Sequence, residues 1–195
     1  MTAGGLPVFL SSWYNEGIEI ERMKTMKKQA SSYHIGVSAE AFAAAQFARV
    51  GFDVSVQYGA NQPEYDLLAH HNDQILKVSV KGSQDGGWGL TQGYKKKDVS
   101  YYEAIDKWLD GHGKKTIFCL VQFKGVSENE MPRMYLATPA EIAEQMKAAR
   151  GGIGDTVLRE DHTYVRGDAA GKTDKIPDEW IFTRRRALQI FEANA

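Results

Sequence analysis

The stretch EYDLLAHHNDQILKVSVK, residues 64–81, decides the fold. It reads as two short apolar strands joined by a tight turn. If Asn72-Asp73 is a two-residue turn, His71 pairs with Gln74, and the register puts Asp66 opposite Ser79 and Glu64 opposite Lys81. Residues two apart in a strand share a face. Glu64, Asp66, Ser79 and Lys81 then crowd one face at one end of the hairpin, and Tyr65, Leu67, Val78 and Val80 offer the other face to a core. A slip of one residue would separate these groups.

Working upstream, residues 32–50 have the spacing of an alanine-rich helix, with Ser31 or Ser32 as its cap and Gly51 in the left-handed position that ends it. Glu40 lies among Gly36, Ala43, Ala44 and Phe47 at helical spacing, so it is expected to point inward, with Gly36 allowing close approach to the sheet. The alternative is that Glu40 flanks the apolar stripe and reaches solvent. Residues 52–58 alternate as a strand, and 59–63 form a loop.

Downstream, the glycine-rich segment 82–93 reads as an irregular, mobile rim, with Trp88 and Tyr94 free to stack on a base or simply to pack. A helix is expected over 99–109, a buried strand over 116–123 and another over 134–137. Thr138 caps a helix that Pro139 opens and that ends near Gly151. A small hairpin pairs 157–159 with 164–166, residues 167–175 form a loop, and a last helix covers 184–193. The first three strands are linked closely enough for an antiparallel meander, and the 99–109 helix is a crossover. The fold class is therefore α/β, a sandwich with a mixed sheet. The domain reading is an N-terminal arm and helix over 1–31, a core over 32–124, and C-terminal additions over 125–195 packed on the same domain.

Composition sets the bounds. The chain has 195 residues, 43% hydrophobic and 25% charged, which fits a single globular domain with a core of ordinary size. The formal net charge of -1 argues neither for nor against a polyanionic partner. Basic residues are clustered, however, at Lys95, Lys96 and Lys97, at Lys114 and Lys115, and at Arg184, Arg185 and Arg186. Such clusters bind phosphates through local fields, or they are solvated helix ends and loops. For the arginines, pairing with Asp178 and Glu179 is the preferred reading. The single cysteine, Cys119, lies in an apolar run and suits a reducing, cytoplasmic compartment. No stretch approaches the length of a membrane span.

Carboxylates in apolar strands cost desolvation energy unless a cation compensates them. Lys81 supplies one positive charge. A divalent metal would supply more, and that combination suits phosphodiester hydrolysis. The helical glutamate, Asp66 in PEYDLL, and VSVKGS resemble the PD-(D/E)XK nuclease superfamily. More narrowly, YDLLAHHNDQILKVSVKGSQ is similar to small restriction-like and homing-endonuclease-like members, over roughly residues 32 to 124.

The resemblance implies a restriction-endonuclease-like three-layer sandwich and a nuclease that uses Mg²⁺ or Mn²⁺. It implies a nucleic acid partner, DNA in the leading reading, and a homodimer if both strands are cut. Asp66 is similar to the family's metal-binding aspartate, Lys81 to its catalytic lysine, and Glu40 to the helical glutamate that supports the metal. The Val80 carbonyl falls where the family often supplies a further ligand, and Glu64 is a candidate for another. Ser79, Ser83, Gln84 and Lys95 to Lys97 are candidate substrate contacts. Ser79 is the departure, because the family has an acid there. A hydroxyl is a weak, neutral ligand for Mg²⁺. Either Glu64 or Glu40 makes up the missing charge, or the chain has kept the fold as a catalytically inactive binding module.

Overall fold

A computed structural model describes residues 30–57 and 65–194. The arm and helix expected before residue 30, and Glu64, lie outside the described residues.

The hairpin is the organising element. Strands β2 (Leu67–His71) and β3 (Gln74–Ser83) pair antiparallel with His71 opposite Gln74 and Leu67 opposite Val78, the register expected from a two-residue turn. Asn72 takes φ 53°, the left-handed conformation such a turn requires and that asparagine tolerates. Strand β1 (Asp53–Val56) adds antiparallel to β2 and completes the meander.

After β3 come a three-residue strand, β4 (Gly87–Gly89), and helix α2 (Tyr101–Asp110); helix α1 is Ser32–Arg49. The chain then returns through β5 (Thr116–Gln122), which runs parallel to β3, so α2 is the crossover. Strand β6 (Arg133–Ala137) closes the order β1-β2-β3-β5-β6. Helix α3 (Pro139–Gly152) follows, and α4 (Arg184–Asn194) ends the described chain. Both α2 and α3 begin in capping boxes, Ser100 with Glu103 and Thr138 with Glu141. Each box satisfies two backbone donors that the helix leaves without partners.

The layers follow from side-chain alternation. One face of the sheet presents Leu67, Val78, Val80, Ile117, Cys119 and Val121 to Ala39, Ala43 and Phe47 of α1 and to Ile190 and Phe191 of α4. The other presents Phe118 and Leu120 to Ile105 and Trp108 of α2 and to Ile142 and Met146 of α3. β5 is buried along its whole length because helices cover both its faces, which is why it reads as an unbroken apolar run. The segment after residue 125 does more than add to a finished core. β6 is the fifth strand of the sheet, and α4 fills one of its two cores.

Two expectations near the C-terminus are corrected. Strand β7 (Val157–Arg159) pairs with β4 rather than with 164–166. The hairpin is formed instead by β8 (Asp161–Thr163) and β9 (Thr173–Lys175), the latter in a segment expected to be loop. Short strands with three residues each carry too little periodic signal to choose partners, and β7 chooses β4 because the glycines of β4 admit it. A Cβ on Gly87 would lie 2.9 Å from Val157 Cγ1.

Candidate active site

Asp66 lies one residue before β2, where the regular ladder stops. Its backbone remains tied at both ends. Its N–H donates to the Val78 carbonyl at 2.9 Å, and its carbonyl accepts from the Gln57 N–H at 3.0 Å. Its side chain does the unusual work: Oδ2 accepts the Val80 N–H at 2.6 Å. A backbone carbonyl of a longer β2 would otherwise meet that N–H, so the carboxylate replaces a rung of the sheet. In a strand the N–H and C=O of one residue point to the same side. The Val80 carbonyl is therefore also directed to the side where Asp66 sits.

The ladder ends at the Leu67–Val78 pair and the Asp66 N–H turns to the Val78 carbonyl, so the expected pairing of Asp66 with Ser79 does not form; alternation puts Ser79 and Lys81 on the same face of β3. Across β3, Ser79 pairs with Phe118 and Lys81 with Leu120, so this is the face that α2 and α3 cover farther along the sheet.

Glu40 comes from α1, and glycine at position 82 brings that helix in. A Cβ on Gly82 would lie 2.8 Å from the Ile35 carbonyl oxygen and 2.9 Å from the Ala39 Cβ. Gly36, the position expected to permit this approach, has nothing within 4 Å of where its Cβ would stand. The close contact is thus made by the strand's glycine, one residue past Lys81, with Ala39 beside Glu40. Glu40 is half-buried. Burial, and then the charge of Asp66, raise its carboxyl above the ordinary range, while the Lys81 ammonium opposes the shift. Glu40, Asp66 and Lys81 therefore share one electrostatic neighbourhood, contributed by three different elements.

The segment after Lys81 differs from the expected irregular rim. Trp88 is 3% exposed, belongs to the core on the α2 side, and donates its indole N–H to the Lys81 carbonyl at 2.8 Å. It packs, and it fixes the backbone of the lysine; it is not presented to a base. Ser79 and Ser83 are also buried. The Ser83 hydroxyl donates to Asp85 at 2.8 Å and accepts from the fully buried Gln122 side chain at 3.2 Å, tying the end of β3 to the end of β5. Gln84 is half-buried. Lys96 and Lys97 are exposed, whereas the Lys95 ammonium lies 5.3 Å from the centre of the Tyr101 ring, at the start of α2. Arg186 pairs with Glu141 at 2.6 Å, and Asp178 pairs with Lys175, which corrects the pairing expected for the arginine cluster.

Glu40, Asp66 and the Val80 carbonyl each offer hard oxygen, the donor type that Mg²⁺ and Mn²⁺ prefer. Among the described residues no group of three or more His, Cys, Asp or Glu side chains gathers to hold a metal. Trp88 was within reach of sequence reasoning as a structural residue, since a lone tryptophan in a glycine-rich run is as able to be an anchor as a platform; only its β4–β7 pairing decides the matter. No protein-family model, no curated protein and no solved structure matches this chain.

Proposed function

We propose that this chain is a metal-dependent nuclease of restriction-endonuclease-like fold that hydrolyses phosphodiester bonds, with DNA as its substrate. The observation that carries the reading is the approach of α1 to Gly82, beside Lys81, with the charges of Asp66 and Lys81 both acting on the Glu40 carboxyl. The order of the elements supports it as well. A helix bearing the glutamate, an antiparallel meander bearing the aspartate and lysine, and a crossover to a parallel strand are what the resemblance implies. A set of two carboxylates beside one ammonium leaves room for further positive charge, and burial of Glu40 makes that charge favourable.

In this reading Asp66 and Glu40, with the Val80 carbonyl, would hold Mg²⁺ or Mn²⁺, which would supply a water of lowered pKa and offset phosphate charge. Asp66 keeps Oδ1 for this task while Oδ2 holds the Val80 N–H. The Lys81 ammonium stabilises the charge that develops on the phosphate oxygens. Trp88 keeps the Lys81 backbone in place, so the ammonium is presented from a fixed strand. Were both strands of a duplex cut, two such sites would be needed, which a homodimer supplies; the unpaired cysteine suits a cytoplasmic setting. Among the described residues no helix is long and apolar enough to cross a membrane.

The test is cleavage of plasmid and labelled oligonucleotides by the purified protein with Mg²⁺, with Mn²⁺ and with chelator. Metal-dependent cleavage is expected, and it should vanish in Asp66→Ala and Lys81→Ala. Retained activity in either variant would count decisively against the site. Ser79, buried and neutral where the family carries an acid, favours a second reading: an inactive nuclease fold that binds nucleic acid or a protein. Titration calorimetry with Mn²⁺ separates the two, since only the first requires the ion to bind.

A further inference from the structure

The face of β3 that carries Ser79 and Lys81 continues past them toward the hairpin turn. By register, Leu68, Ile75 and Lys77 lie on it. Near the turn it hollows into an open groove of about 440 Å³, lined by Leu68, Asp73, Gln74, Ile75, Lys77 and Lys115. Its floor is apolar, and Ile75 is 47% exposed there. Its rim is cationic. Lys77 on β3 and Lys115, one residue before β5, both line the groove, and the Lys77 N–H donates to the Lys115 carbonyl at 2.9 Å, which ties their backbones together. The Lys77 ammonium lies 5.3 Å from the centre of the Tyr65 ring, and Tyr65 adjoins Asp66. Among the described residues neither lysine makes an ion pair. Asp73 stands at the turn end and repels anions, so the groove favours phosphate between the two lysines. Lys77 is four strand residues from Lys81, about 13 Å along β3.

We propose that this groove holds a single-stranded segment of nucleic acid on its way to the Asp66–Lys81 site, with phosphates on Lys77 and Lys115 and unpaired bases on Leu68 and Ile75. The direction of travel rests on the nuclease reading; the binding itself does not. Charge complementarity selects a polyanion, and the apolar floor selects among polyanions. A duplex turns its bases inward and would set its charged backbone against Ile75. An unpaired strand supplies base faces as well as phosphates, and apolar contact between those faces and Leu68 and Ile75 is non-directional, so it tolerates any sequence.

The experiment is fluorescence anisotropy with a labelled 12-nucleotide oligothymidylate and a duplex of equal length, in chelator so that cleavage plays no part. The wild-type protein should bind the oligothymidylate more tightly than the duplex. The double variant Lys77→Ala with Lys115→Ala should bind it about tenfold more weakly, and the slope of log affinity against log salt should flatten by about 1.4, at about 0.7 per lost phosphate contact. Ile75→Ser should weaken binding with the slope unchanged, and thermal unfolding should show both proteins folded. Unchanged affinity and slope in the double variant, equal or tighter binding of the duplex, or no binding of the oligothymidylate would each overturn the proposal. If metal-dependent cleavage is lost in Asp66→Ala while the lysine variant binds normally, the groove is wrong and the nuclease site stands. If binding depends on the lysines and no metal supports cleavage, the groove stands and the nuclease reading is wrong.

Discussion

The carboxylate of Asp66 takes the backbone N–H of Val80, standing in for a rung of the sheet at the point where β2 has ended. One side chain thus has two duties. It satisfies a donor that would be costly to leave unmade, and it places a negative charge beside Glu40 and Lys81.

The two duties separate in Asp66→Asn. The amide oxygen can still accept the Val80 N–H, so the fold should survive. The charge is lost, so cleavage should fall by about 10²-fold or more. Asp66 is one of the groups that raise the Glu40 carboxyl, so that carboxyl should titrate lower in the metal-free variant. Carbon-detected NMR through the acid range reads the shift, and a Glu40 carboxyl that does not move would show that the two acids are not neighbours.

Gly82→Ala tests the approach of α1. The added Cβ would meet backbone oxygen of Ile35 and the Ala39 Cβ, both inside 3.0 Å, and neither is the end of a flexible side chain. A loss of about 1–3 kcal/mol is expected from the overpacking, read by urea unfolding. Because the helix must shift to relieve the clash, Glu40 should move with it, and activity should fall at temperatures where the variant remains folded. Gly36→Ala, with open space around it, should be neutral or slightly stabilising, as alanine favours a helix.

At the edge strand, Glu160 accepts from Arg133 at 2.7 and 2.9 Å and from the Tyr135 hydroxyl at 2.8 Å. Burial alone would raise this carboxyl, but the bonds from Arg133 and Tyr135 outweigh it and leave the group below its ordinary value. A depressed acid contributes stability above its unfolded pKa, about 4.3, and that contribution is lost as pH falls through the lower folded value. Arg133 is 43% exposed, so water screens the pair. Glu160→Gln should cost about 1–2 kcal/mol at pH 7. The difference from wild type should shrink as acid unfolding curves are taken below pH ~4.

Cys119 is fully buried in β5, and burial pushes its thiol far up. A thiol held protonated and out of solvent does not react. A disulfide reagent should therefore label no cysteine in the native protein and one per chain in denaturant; rapid native labelling would mean that β5 opens or is misplaced.

Much of this protein was legible from local chemistry. The tight turn at Asn72-Asp73 set the register of β2 on β3, because a strand alternates every residue and a two-residue turn allows no slack; that ladder stops at Leu67, and the place of Asp66 beyond it was not legible. Pro139 after Thr138, and the unbroken apolar run of β5, fixed a helix start and a strand covered on both sides for equally local reasons. What waited on the tertiary structure were contacts between residues far apart in the chain. That Gly82 rather than Gly36 admits α1, that Trp88 is an anchor under Lys81, that β7 pairs with β4, and that Arg186 finds Glu141 all depend on which surfaces meet. Periodicity reports which way a side chain points; it carries no record of what stands opposite.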